Sequence, residues 1–143
     1  MTDVQKRVAV GALIRNRKNE MLIVKPSYKD TWLLVGGMVE SSESPTEALK
    51  REIEEEVNLN LEVGRLLCVD YGLEDAHSIN FVFDCGIVED ATGITCPENE
   101  IEKYAFVSQE HALKLLGPKG VRRISAILDI ADNKTIVYLE NAR

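Results

Sequence analysis

Aromatic residues make up only 6% of this 143-residue chain, and it has three cysteines and two histidines. Each shortage closes off a class of function. Cys68, Cys85 and Cys96 are odd in number and show no Cys-x-x-Cys spacing, which argues against a disulfide framework or a thioredoxin-type centre. His77 and His111 lie far apart and offer no zinc-ligand spacing. Lys and Arg number 17 against 24 Asp and Glu, a formal net charge of -7. Phosphate-backbone attraction needs clustered cations, so a nucleic-acid partner is not expected. No apolar stretch approaches membrane-spanning length, and the opening MTDVQKRV lacks a positive-then-apolar signal design. The expectation is a cytoplasmic protein with reduced thiols and no membrane partner.

No Ser/Gly/Pro linker, low-complexity tract or internal repeat divides the chain, so residues 1–143 are expected to form one domain. An apolar run from Arg7 to Ile14, the polar Arg15-Asn16-Arg17-Lys18-Asn19 and a second run from Met21 to Val24 predict a β-hairpin. Further strands are expected at Trp32–Val35, Arg65–Tyr71, Ser78–Val88 and Tyr104–Val107. Ser108 is placed to cap a helix over Gln109–Leu116, ended by Gly117-Pro118. Val121, Ile124, Leu128 and Ala131 form another helical stripe, and Thr135–Leu139 a last strand. Strands on both sides of a central helix, followed by further helices, predict an α/β fold.

That central helix lies in the stretch from Gly37 to Leu59, GMVESSESPTEALKREIEEEVNL. Ser44 is a good N-cap, Pro45 suits the first helical position, and Glu47 completes a Ser-x-x-Glu capping box. Leu49, Ile53 and Val57 recur every four residues and form the stripe to be buried. On a wheel of about 100° per residue, Glu52, Glu55 and Glu56 fall in one arc beside that stripe. Glu52 and Glu56 repel as an i,i+4 pair, and they sit near the negative end of the helix dipole. A hard divalent cation would offset both penalties. A solvated acidic face, partly neutralised by Lys50 and Arg51, is the plainer alternative.

The same segment resembles the signature of the Nudix hydrolases, which reads Gly, five residues, Glu, seven residues, then Arg-Glu-U-x-Glu-Glu-x-Gly-U, where U is a bulky aliphatic residue. Gly37, Glu43, Arg51, Glu52, Ile53, Glu55, Glu56 and Leu59 stand in register. Asn58 replaces the signature glycine. Asn is the next most tolerant residue in the left-handed region, so an αL turn is expected to persist there. Val35 and Ser42 replace a common Pro and a common Gly in the preceding loop. The paired glycines Gly36 and Gly37 are expected to make a tight strand-to-helix turn.

The resemblance implies an α/β/α sandwich with a mixed β-sheet and Mg²⁺-dependent hydrolysis of a pyrophosphate bond in a nucleoside diphosphate linked to another moiety. Nucleoside triphosphates, ADP-ribose-like compounds, nucleotide sugars and dinucleotides are all open as substrates. Gly37, through its carbonyl, and Glu52, Glu55 and Glu56 are the implied ligands of Mg²⁺, or of Mn²⁺ in its place. Arg51 is expected to pair with Glu43 and fix the loop to the helix. The base that takes the water proton stays open among Glu52, Glu55 and a downstream residue, for which Glu100 is preferred over Glu98 and Glu102. The competing class is a non-catalytic domain of this family that binds a nucleotide-like ligand as a sensor or scaffold. A homodimer follows only by analogy with relatives.

Outside the signature, Trp32 reads as a core residue or loop anchor rather than as a base-stacking platform, which is the alternative. Tyr28 and Tyr71 are candidate purine-stacking residues only because aromatics can serve that purpose. Lys119, Arg122 and Arg123 form a small basic cluster between phosphate contact and solvated helix start.

Overall fold

The computed structural model describes residues 5–73, 78–130 and 134–141. The chain runs β1 (Arg7–Arg15), β2 (Met21–Pro26), β3 (Leu33–Met38), α1 (Pro45–Val57), β4 (Leu66–Tyr71) and β5 (Ser78–Ile87). It continues through β6 (Ile101–Val107), α2 (Gln109–Leu115), α3 (Pro118–Leu128) and β7 (Val137–Glu140). His77 and Ala131 lie outside the described residues.

Among the described residues the strands form one seven-stranded sheet in the order β6-β2-β3-β1-β5-β4-β7. The sheet is mixed: β1 runs parallel to β5 and β4 parallel to β7, while β1–β3, β2–β3, β2–β6 and β4–β5 are antiparallel. The expected hairpin forms only in part. Its turn closes, with the Asn16 amide donating to the Glu20 carbonyl at 3.0 Å. Beyond Arg15↔Met21, however, β3 lies between the two strands and pairs with both. A pattern of apolar runs fixes which residues are strands, not which strand intervenes.

Side chains alternate between the two faces of the sheet, and each face buries its own helices. Val10, Ala12, Ile14, Leu22, Val24 and Val35 pack on Leu49, Ile53 and Val57 of α1. The intervening residues Leu13, Met21 and Ile23 pack with Leu67 on Ala112 of α2, on Leu116 just after that helix, and on Ile124 of α3. The result is the expected α/β/α sandwich. Leu49, Ile53 and Val57 are all fully buried. Each such side chain contributes about 1.5–3 kcal/mol of burial, which holds α1 at a fixed depth against the sheet.

The ends of α1 follow the sequence rules. The Ser44 hydroxyl accepts from the Glu47 amide and the Glu47 carboxylate accepts from the Ser44 amide, completing the capping box. Asn58 ends the helix at φ 57°, ψ 40°, the left-handed turn expected where the signature has glycine. Its amide donates to the Glu54 carbonyl, and its side chain donates to the Gly93 carbonyl at 3.3 Å.

Candidate active site

Gly36 and Gly37 lie inside β3 rather than in a turn, and neither has positive φ. What requires glycine is close approach. A Cβ on Gly36 would overlap the Val10 carbonyl of the neighbouring strand, and one on Gly37 would overlap the Glu52 carboxyl group. The absence of side chains on β3 here lets Glu52 of α1 come directly against the strand backbone.

Arg51 organises these carboxylates. Its Nε and Nη2 donate to Oε2 and Oε1 of Glu43 at 2.6 and 2.8 Å, a two-pronged grip. Nη1 donates to Glu52 Oε1 at 2.8 Å and Glu55 Oε2 at 3.2 Å, and Nη2 also reaches the Met38 carbonyl at 3.2 Å. One guanidinium thus joins the end of β3, the following loop and α1. The hydrogen bonds from Arg51, with the Glu40 amide, hold the Glu43 carboxyl down to about 2. In return the bonds to Glu43, ahead of those to Glu52, raise the Arg51 guanidinium.

Glu52 and Glu56 sit at the margin of the core, while Glu54 and Glu55 are exposed. The Gly36 amide donates to Glu56 Oε1 at 2.9 Å. Burial pushes the Glu56 carboxyl up to about 8; the Gly36 hydrogen bond opposes that rise, and the charges of Glu52, Glu100 and Glu55 add to it. Glu52 is also raised, by burial first, against the pull of Arg51. Carboxylates driven toward the neutral form by burial and mutual repulsion are those a divalent cation would relieve.

Among the described residues, no three His, Cys, Asp or Glu side chains already enclose a common point. The acidic oxygens are instead engaged by Arg51 and the Gly36 amide. That is compatible with Mg²⁺, which keeps several waters and is held by one or two carboxylates together with substrate phosphates.

Glu56, Gly36 and Gly37 border a cavity of about 800 Å³ that extends across the sheet toward α3. Glu100 lines the same cavity, at the end of a turn whose Glu100 carbonyl accepts from the Ser27 amide at 2.9 Å. Of the other acidic candidates, Glu102 is paired with Lys25 at 2.6 Å, which lowers its carboxyl, and Glu98 does not border the cavity. Glu52 and Glu55 are paired with Arg51 and are not among the residues that line the cavity. The structure therefore brings Gly37, Glu56 and Glu100 to one cavity, with Arg51, Glu52 and Glu55 as the adjoining network.

Trp32 lines the cavity too, and its backbone amide donates to the Leu115 carbonyl at 3.3 Å. Tyr28 lies at the cavity mouth, 75% exposed. Tyr71 is not among the residues that line it; the Lys6 ammonium lies 4.9 Å from its ring centre. Sequence reasoning missed the role of Arg123. Its Nε donates to Asp70 Oδ2 at 2.6 Å, and Asp70 is 1% exposed. The partners are 53 residues apart, and the one hint was a lone Asp in the otherwise apolar strand LLCVDY.

A family model described as the NUDIX domain matches residues 5–127. A mouse (Mus musculus) protein named diphosphoinositol polyphosphate phosphohydrolase 3-alpha is 35% identical over 86 residues, 59% of this chain and 52% of that protein. The matched region thus spans about half the length of these curated relatives. Among solved structures, the MutT protein from Methanosarcina mazei Go1 superposes with a TM-score of 0.77 at 27% identity, covering 94% of this chain and all (100%) of that one. A UDP-X diphosphatase superposes with a TM-score of 0.73 at 24% identity, covering 97% of this chain and 69% of that one, a likeness of fold alone.

Proposed function

This chain belongs to the NUDIX domain family, and on that premise we propose that it is a hydrolase that cleaves a pyrophosphate bond in a nucleoside diphosphate linked to another moiety. The observation that carries the reading is that Glu56, Gly37 and Glu100 line the same cavity of about 800 Å³, while Arg51 pairs with Glu52 and Glu55 on the helix that carries Glu56. Cavities of several hundred Å³ suit small-molecule ligands.

Glu52, Glu55 and Glu56, with the Gly37 carbonyl, would hold Mg²⁺ or Mn²⁺. When bound, that ion neutralises diphosphate charge and acidifies a water molecule. The protein's own share is positional. Arg51 fixes the α1 carboxylates against β3 through Glu43. Gly37 keeps side-chain bulk away from Glu52. Glu100 faces the cavity from the loop before β6 and is the candidate to take the proton from the attacking water; Glu52 and Glu55 are the alternatives within the network. Geometry favours Glu100, since it borders the cavity and has no partner as close as Lys25 is to Glu102.

The substrate reading includes nucleoside triphosphates, ADP-ribose-like compounds, nucleotide sugars and dinucleotides. Incubation with each class, with Mg²⁺, Mn²⁺ or EDTA and products scored by mass, tests it. Metal-dependent release of a nucleoside monophosphate or of pyrophosphate supports the hydrolase. Absence of turnover combined with ligand-induced thermal stabilisation would favour a sensor or scaffold instead.

A further inference from the structure

The cavity has a second polar end. Arg123, on α3, lines it, and its side chain is 18% exposed. The guanidinium is held by the buried Asp70 of β4 through Nε. Among the described residues this is its one hydrogen bond, so both Nη groups remain available as donors. The fold fixes α3 here: Ile124, next in the chain, is fully buried, and Gly117 packs so closely on Thr31 that a Cβ would lie 2.9 Å from its Cγ2.

Sheet register gives the span between the two ends. Gly36 of β3 pairs with Gly11 of β1, Gly11 with Val82 of β5, and Val82 with Cys68 of β4, two residues from Asp70. Three inter-strand steps amount to about 14 Å. That exceeds a bare pyrophosphate and approximates the length of a nucleoside diphosphate. Between the ends, Gly11, Leu34 and Val82 supply an apolar floor. Asp70 lies 2.6 Å from Arg123 and offsets its charge, which leaves the guanidinium as a partly neutralised fork. It offers directional donors more than net attraction for an anion.

We infer that Arg123, positioned by Asp70, is a specificity-determining residue that reads the acceptor edge of a guanine base lying over Gly11 and Val82. This rests on the reading above that the cavity holds the substrate, with its diphosphate toward Gly37 and Glu56. Guanine presents O6 and N7 as adjacent acceptors, which an arginine fork meets with two N–H donors. Adenine presents an amino donor in place of O6 and breaks the match.

The test is equilibrium binding of GDP and ADP in EDTA, where no metal-dependent turnover occurs, so a failure of base discrimination is read separately from a failure of hydrolysis. Wild type is expected to bind GDP roughly tenfold or more tighter than ADP, the range of one good bidentate contact. Arg123→Met should abolish that ratio chiefly by weakening GDP. Asp70→Asn should reduce it while ADP binding is retained, an effect loss of packing alone would not produce. If Arg123→Met fails to fold because it removes the ion-pair partner 2.6 Å from the buried Asp70, Arg123→Lys keeps the charge, loses the fork and should still lower the ratio. Equal binding of GDP and ADP by wild type, binding of neither, or a GDP preference that survives loss of the fork would overturn the inference.

Discussion

Gly37 lies so close to Glu52 that a methyl group on its Cα would overlap the glutamate's carboxyl carbon. The glycine leaves the room that Glu52 occupies beside β3, which ties the strand to the acidic face of α1. Gly37→Ala should therefore displace Glu52 and lower turnover at least tenfold. It should also destabilise the fold by about 1–3 kcal/mol, the usual cost of an added methyl group in a packed site. Thermal melts and kinetics of the variant check both effects; wild-type behaviour in both would show that β3 and α1 are not tightly joined here.

Glu43 should impart a pH dependence to stability. Its carboxyl is held at about 2 instead of 4.5, chiefly by the bonds from Arg51. A lowered folded-state value means that the carboxylate stabilises the fold above pH 4.5 and loses that contribution as pH falls toward 2. Glu43→Gln is expected to melt below wild type at pH 7, and the gap should shrink between pH 4.5 and 2. A gap that stays constant over this window would remove the Arg51–Glu43 pair as its cause.

Asn58 holds a left-handed conformation at the end of α1. Asn58→Ala should cost about 1 kcal/mol, because an alanine Cβ is disfavoured there. Asn58→Gly relieves that strain but loses the side-chain bond to the Gly93 carbonyl, leaving stability within about 0.5 kcal/mol of wild type. Denaturant titration of both variants distinguishes backbone strain from loss of the side-chain contact.

Glu100 and Glu98 provide a matched pair, since only Glu100 borders the cavity. Glu100→Gln should reduce kcat by roughly 10²-fold or more, as expected for loss of a general base, with little change in KM. Glu98→Gln should leave both unchanged. Equal kinetics in the two variants would return the role to Glu52 or Glu55.

Local chemistry made much of this legible in the sequence. The Ser44–Glu47 capping box, the Leu49–Ile53–Val57 stripe and the Asn58 turn involve residues at most four apart, and all are present as read. The pairing of Arg51 with Glu43 was implied by the resemblance to the Nudix signature, and the guanidinium does grip that carboxylate. The insertion of β3 between β1 and β2 could not be read, because strand order depends on contacts distant in sequence. Gly36 and Gly37 were expected to form a turn, yet their need is space, imposed by Val10 and Glu52 on other elements. The Arg123–Asp70 pair escaped for the same reason: near α3 the arginine looks like part of a solvated cluster, and only the fold sets it against a buried carboxylate of β4.

Glu56→Gln tests the central claim most directly. Glutamine keeps an oxygen to accept the Gly36 amide but removes the charge proposed to hold the metal. Assayed beside wild type with Mg²⁺ on the best substrate of the panel, the variant should lose most turnover and keep its melting temperature. Turnover equal to wild type would contradict a hydrolase built on the α1 carboxylates.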